Sequence, residues 1–345
     1  MRKFSGCYTA LITPLKKGGK VDYDGLKSLV DFQIDGNVSG ILAVGTTGES
    51  PTLTWNEHLE VIEKVYDHVG GKSLTIGGTG SNNTEETMEA THEVSKHGVD
   101  CILLVDPYYN GPSSMEIRKE YIEPVAREFP EIQIIPYVIP GRTGTQLLPQ
   151  DLAILHSQFK TFRAVKEATG NLDNMRLTRR LCGQDFDILS GDDDKTYEMM
   201  MDPQIAASGV ISVASNVAPE LIQKFVQAVL KKDAANYQKL YEALKPLFGI
   251  VTVKTDEETP YGTISCKARN PLPYKTLMNV LGMPSGPCRQ PLGKMTRKGL
   301  QTVVNVAKSV YEKIPEILEP VESFFDVDLS KRLYRERYWK GLSYD

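Results

Sequence analysis

Val165-Lys166-Glu167 places a lysine at the end of a short apolar segment, Phe162 to Lys166. Where such a segment opens into a cavity, partial desolvation disfavours the ammonium, lowers its pKa and leaves a neutral amine able to attack a ketone. Taken alone, Lys166 reads as easily as a lysine paired with Glu167 or another carboxylate. Other groups give the amine something to act on. In Gly45-Thr-Thr-Gly-Glu-Ser50 the two glycines let backbone approach a ligand, while Thr46 and Thr47 supply hydroxyls and amides suited to the carboxylate of an α-keto acid. The plainer alternative is a turn with capping threonines. Tyr109 and Tyr137 carry phenols that can relay protons, or simply pack in a core. Arg142 has the planar fork that pairs bidentately with a second carboxylate, or with a surface acid.

Elements far apart in the chain must bring these residues together. Short runs rich in Val, Ile and Leu recur between longer amphipathic segments, the alternation of repeated βα units around a parallel sheet. The strand candidates are Cys7 to Ile12, Gly40 to Val44, Ser73 to Ile76, Cys101 to Val105, Gln133 to Tyr137, Phe162 to Lys166, Phe186 to Leu189 and Gly209 to Val213. Helical patterns lie between them, among them Tyr23 to Ile34, Asn56 to His68, Thr84 to Lys96 and Ser114 to Phe129. This predicts an α/β fold, a closed TIM (β/α)8 barrel over residues 1–232. The polar and Gly-rich segments follow the C-terminal ends of different strands, the face on which such barrels build active sites. Gly45 follows the second, Pro107-Tyr-Tyr-Asn110 the fourth, and Ser190-Gly-Asp-Asp193 the seventh. Tyr137 ends the fifth strand, before Pro140 to Gly144, and Lys166 ends the sixth.

After Pro219 the strand signals stop, and an extended helical C-terminal region is expected over 233–345, with an irregular segment near 250–274. That segment holds Thr255-Asp-Glu-Glu-Thr-Pro260 and Asn270-Pro-Leu-Pro273. The basic and aromatic tail from Leu329 to Asp345 is read as cover for a hydrophobic surface or an interface.

Composition bounds the function. The chain has 345 residues, 41% hydrophobic and 24% charged, as in ordinary globular proteins, and a net charge of -4 that argues against nucleic-acid binding and for a small-molecule substrate. Cys7, Cys101, Cys182, Cys266 and Cys288 form no C-x-x-C pair and read as reduced thiols. The segment Met1 to Pro14 lacks an apolar core with a cleavage site, and no apolar run reaches the roughly 18 residues of a membrane span. A cytoplasmic protein with no membrane partner is expected. His92 and His97 are five apart, not four, so no catalytic metal is predicted. Gly71-Lys-Ser73 and Gly77-Gly-Thr-Gly80 each miss a glycine that a nucleotide loop requires, at Tyr66 and Asn83, and no cofactor is predicted.

Taken in order, Gly45-Thr-Thr-Gly-Glu-Ser50, Pro107-Tyr-Tyr-Asn110, Arg142-Thr-Gly144, Val165-Lys-Glu-Ala-Thr-Gly-Asn171 and Ser190-Gly-Asp-Asp193 resemble the dihydrodipicolinate synthase and N-acetylneuraminate lyase superfamily of pyruvate aldolases, across residues 4 to 300. The resemblance implies that Lys166 forms an iminium with pyruvate. Loss of a proton gives an enamine, which attacks the aldehyde of L-aspartate 4-semialdehyde, and cyclisation yields 4-hydroxy-tetrahydrodipicolinate on the way to lysine and diaminopimelate. It implies further that Tyr137 shuttles protons, that Thr46 links it to Tyr109 of a neighbouring subunit, that Thr47 holds the pyruvate carboxylate, and that Gly191 and Ile211 line the site. The working form would be a homo-oligomer, tetramer or dimer. An L-lysine effector site is implied at Ser50, Trp55, His58, Asn82, Glu86 and Tyr108. Trp55 stands where many bacterial relatives have histidine, and its face could take an ammonium by cation–π attraction with Glu86 balancing the charge. A packed interface is the alternative there.

The paired threonines and Arg142-Thr-Gly144 favour the synthase branch, whereas the family's usual Tyr-Asn pair here reads Tyr137-Val138. Two other readings stay open. One is a lyase releasing pyruvate from a 2-keto-3-deoxy sugar acid with the same lysine. The other is a silent relative that binds a keto acid or amino acid.

Overall fold

Eight parallel strands close on one another in chain order, β1 Gly6–Ala10, β2 Gly40–Ala43, β3 Leu74–Gly78, β4 Cys101–Val105, β5 Gln133–Val138, β6 Ala164–Glu167, β7 Asp187–Ser190 and β8 Gly209–Ser212. This computed structural model describes residues 3–344; Met1, Arg2 and Asp345, which end ranges read from the sequence, lie outside the described residues. The expected TIM barrel is thus present, with strand bounds within a few residues of the apolar runs. Each strand is buried on both faces, which is why each reads as a short apolar run rather than an alternating one. The seam between β8 and β1 sets Gly6 opposite Gly209, and a Cβ on Gly209 would lie 2.0 Å from the Gly6 carbonyl oxygen, so the barrel closes there only without a side chain.

Tyr8, Leu42, Ile76, Leu103, Ile135, Leu189 and Ile211 pack inside the barrel, and Tyr137 belongs to the same cluster. A second apolar layer lies between the strands and helices such as Tyr23–Asp35, Trp55–Val69 and Pro219–Leu230. Helix starts are written locally: Thr54 and Glu57 form a reciprocal capping box for Trp55–Val69, and Asn171 caps Leu172–Cys182 by accepting from the amides of Asp173 and Asn174. Those caps fix where the loops at the top of the barrel end.

The segment read as irregular is ordered. Thr252–Thr259 and Gly262–Arg269 pair antiparallel as β9 and β10, joined by Pro260 and Tyr261. The acidic stretch hid the strand because neither face of this ribbon is fully buried, so polar residues alternate with polar ones and no apolar run appears. Asn270-Pro-Leu-Pro273 leads straight into the helix Leu272–Leu281, whose first turn tolerates Pro273 because those amides have no helical partner. The helices Arg297–Lys313, Glu319–Phe325 and Leu329–Tyr334 follow. The tail docks on the helix Leu272–Leu281: Arg332 donates to the carbonyls of Val280 (2.9 Å) and Asn279 (2.7 Å), and within the tail Arg332 and Arg337 stack on Tyr338.

Candidate active site

Strand register brings the amine and the phenol together. Lys166 on β6 pairs with Tyr137 on β5, and its Nζ stands 4.1 Å from the centre of the Tyr137 ring. Lys166 is only 4% exposed. Burial lowers its pKa to about 8; Asp192 and Asp193 oppose that shift and Arg142 adds to it. Burial also keeps the Tyr137 phenol protonated, above its ordinary range, with Arg142 pulling it down, Asp192 pushing it up and Thr46 as its hydrogen-bond partner. An amine whose pKa is lowered toward neutrality, beside a protonated phenol, supplies the two groups that carbonyl addition needs.

Gly191 explains how the lysine fits. A Cβ there would lie 2.8 Å from the Ala168 Cβ and 3.3 Å from the Lys166 Cε, and its amide donates to the Glu167 carbonyl at 2.7 Å. The backbone after β7 therefore runs against the lysine stem. Asp193 is buried beside it, accepting from the amides of Val213 (2.9 Å) and Ala214 (3.2 Å) and from the Ser212 hydroxyl. Asp192 is pushed up to about 6, chiefly by burial.

A cavity of about 230 Å³ opens beside these groups, lined by Gly45, Thr46, Tyr137, Ile139, Arg142 and Thr143 among others. Val44, just before it, is held at φ 57°, a left-handed conformation that is strained for a β-branched residue. Thr47 is buried, its hydroxyl accepting from the Asn270 side chain at 2.9 Å. Asn270 also accepts from Arg142 Nη2 through its backbone carbonyl at 3.0 Å, and its Oδ1 has no partner among the described residues. Ile211 is buried in the barrel interior with Tyr137. Tyr109 is the exception: it is 91% exposed and held at φ 77°, and Tyr108 faces the cavity instead.

The loop carrying Thr46 and Thr47 ends on a buried ion pair. Glu49 Oε1 lies 2.6 Å from Lys275 Nζ, which also donates to the carbonyls of Thr13 (3.1 Å) and Pro287 (2.7 Å), while Glu49 Oε2 accepts from the Arg289 amide at 2.8 Å. Sequence reading did not single out Lys275, Asn270, Asp192 or Asp193. The Ser190-Gly-Asp-Asp193 motif carried a signal for the acids, but Asn270 and Lys275 lie beyond the barrel, with nothing local to mark them.

A second pocket, about 160 Å³, shares the wall formed by Ser50, Pro51, Gly80 and Tyr108 and adds Leu53, Trp55, His58, Ser81 and Glu86. It gathers the effector candidates except Asn82, which sits against it through Ser81. Trp55 and His58 rings are 4.7 Å apart, and His58 Nε2 is 2.6 Å from the Gly78 carbonyl. Burial lowers the His58 pKa to about 4, so the ring is neutral and donates to that carbonyl. Glu86 accepts from the Ser81 hydroxyl at 2.5 Å.

A family model described as the dihydrodipicolinate synthetase family matches residues 3–310. A 4-hydroxy-tetrahydrodipicolinate synthase of Methanococcus maripaludis is 40% identical over 306 residues, 87% of this chain and 97% of that protein. Among solved structures, the dihydrodipicolinate synthase from Aquifex aeolicus superposes with a TM-score of 0.81 at 36% identity, over 92% of this chain and 100% of that one. The enzyme from Cyanidioschyzon merolae with lysine bound gives 0.80 at 33% identity, over 89% and 98%.

Proposed function

This chain belongs to the dihydrodipicolinate synthetase family, and from that premise we propose that it condenses pyruvate with L-aspartate 4-semialdehyde to 4-hydroxy-tetrahydrodipicolinate. The observation that carries the reading is the buried Lys166 amine, poised near neutral pH against Tyr137 and Gly191. Lys166 attacks the pyruvate ketone, the oxygen leaves as water, and an iminium forms. Removal of a methyl proton, with Tyr137 and Thr46 as relay, gives the enamine, whose carbon bonds to the aldehyde carbon while its oxygen takes a proton. The amine of the second substrate then adds to the iminium carbon and expels Lys166, closing the ring. Arg142, on the cavity wall, takes the second substrate's carboxylate bidentately, and Thr47 with its loop amides takes that of pyruvate.

Tyr109 completes the relay from a second copy of the chain. Support comes from its exposure and its left-handed backbone, which hold an aromatic ring out in solvent where an isolated chain gains nothing from it. The enzyme is then a cytoplasmic homo-oligomer. L-lysine binds the second pocket, its ammonium on the Trp55 face near Glu86, and acts on the first pocket through their shared wall.

The test is borohydride reduction in the presence of pyruvate, followed by peptide mapping and by an assay for consumption of both substrates. A pyruvate adduct on Lys166 and loss of the semialdehyde are expected. No adduct on the folded protein would end the Schiff-base reading, and an adduct without semialdehyde consumption would move the activity to pyruvate release.

A further inference from the structure

The mouth of the cavity is basic in a chain whose net charge is -4. In the hairpin, Lys254 and Lys267 stand directly opposite each other, a placement in which like charges weaken a ladder. Arg269, two residues along β10, falls on the same face as Lys267, and all three are exposed. This end of the ribbon is tied to the active-site rim by two bonds running in opposite senses. Arg269 Nη1 donates to the Gly141 carbonyl at 3.0 Å, and Arg142 Nη2 donates to the Asn270 carbonyl at 3.0 Å. The four cations feel one another: Arg269, Lys254 and Arg142 all disfavour the charge on Lys267, and Arg269 disfavours that on Arg142.

No salt bridge joins any of the four to an acid among the described residues, although Lys298 close by reaches Glu257 at 3.7 Å. On the cationic face the acids, Asp256 and Glu258, lie further out along the strand, toward the tip. A ribbon that needed only to be stable would have its charges the other way, with acids opposite the lysines. Cations left unpaired beside a concave site attract anions into it and raise their local concentration.

We infer that the base of the hairpin is an anion-collecting rim, in which Lys254, Lys267 and Arg269 extend the field of Arg142 and draw carboxylate-bearing substrates, pyruvate first, to the cavity beside Lys166. This rests on the reading of pyruvate as the compound that Lys166 captures. The rim makes no covalent step and touches no reacting atom. Its effect lies in kcat/KM and in the salt dependence, because a field that concentrates an anion at the mouth vanishes as counterions screen it.

The experiment follows adduct formation on Lys166 in the full chain with pyruvate alone, quenched by borohydride, for wild type and for K254Q/K267Q/R269Q. At about 10 mM salt the second-order rate constant of the variant is expected to fall roughly five- to tenfold, and at about 0.5 M less than about twofold, with the rate at saturating pyruvate unchanged. Methyl pyruvate, which has no charge, is expected to react equally with both proteins. The charge-preserving K254R/K267R/R269K keeps the wild-type rate and salt slope. Should the triple variant not fold, K267Q alone carries the test at about twofold. Equal salt slopes in wild type and variant, or an equal loss with methyl pyruvate, overturn the rim while leaving the enzyme reading intact. A wild type that forms no adduct overturns both.

Discussion

Replacing Lys275 by methionine removes one ammonium from the interior and keeps most of the apolar stem. Lys275 and Glu49 are each 1% exposed at the side chain, with the charged atoms 2.6 Å apart. All three protons of the ammonium are spoken for, by Glu49, Thr13 and Pro287, so K275M strands a carboxylate oxygen and two carbonyls at once. Removing one partner of a buried pair costs about 3–5 kcal/mol, because the remaining charge stays out of water without compensation. The double variant E49Q/K275M takes away the stranded charge too, and the carboxamide oxygen that replaces the carboxylate can still accept from the Arg289 amide. Its cost is expected to be about 2 kcal/mol smaller than that of K275M. Urea unfolding at one fixed protein concentration measures both, since assembly would otherwise shift the midpoints. The loop carrying Thr46 and Thr47 is anchored by Glu49, so K275M should also lower kcat for the condensation by about tenfold or more. A loss below about 1 kcal/mol in K275M, or single-variant costs that simply add in the double, would refute the argument that the pair holds the loop as one unit.

The other predictions concern the site itself. Adduct formation with pyruvate should rise with pH around 8, since the Lys166 amine is neutral only above that value. D192N removes a carboxylate that favours the ammonium and should move this midpoint down, and R142Q should move it up; a pH–rate profile of borohydride trapping reads both signs. G191A should abolish the adduct, because the new methyl would meet Ala168 and the Lys166 stem, and the intact protein's mass after trapping checks it. Mixing equal amounts of inactive K166A and inactive Y109A chains should restore about a quarter of wild-type activity to the mixture if Tyr109 serves its neighbour's site in a dimer. No recovery after subunit exchange would place Tyr109 in its own chain's site rather than its neighbour's. L-lysine should inhibit the wild type at millimolar concentration and inhibit W55A at least about tenfold more weakly; isothermal titration against both proteins decides it.

The barrel was legible because its information is local. Strands buried on both faces leave short apolar runs such as Cys101 to Val105, helices carry caps such as Thr54 and Glu57, and polar residues ending those runs all fall on one rim once the sheet closes. The sequence could therefore name Lys166, Tyr137, Thr46 and Arg142 before any coordinate, through residue types at strand ends and a resemblance in the order of motifs. It could not order the hairpin, since a solvated ribbon with Asp256 to Glu258 in it has no apolar signature. Nor could it join Glu49 to Lys275, Thr47 to Asn270, or Arg142 to the backbone at Asn270, contacts that cross between 128 and 226 positions. The same holds for Lys166. Its type and place in the chain are written in the sequence, but its neutrality near pH 8 is a property of the packed barrel, of water excluded and of Asp192, Asp193 and Arg142 set around it. Residue type and local period are carried by neighbours along the chain; dielectric, charge proximity and the space left by a missing Cβ exist only after distant segments have met.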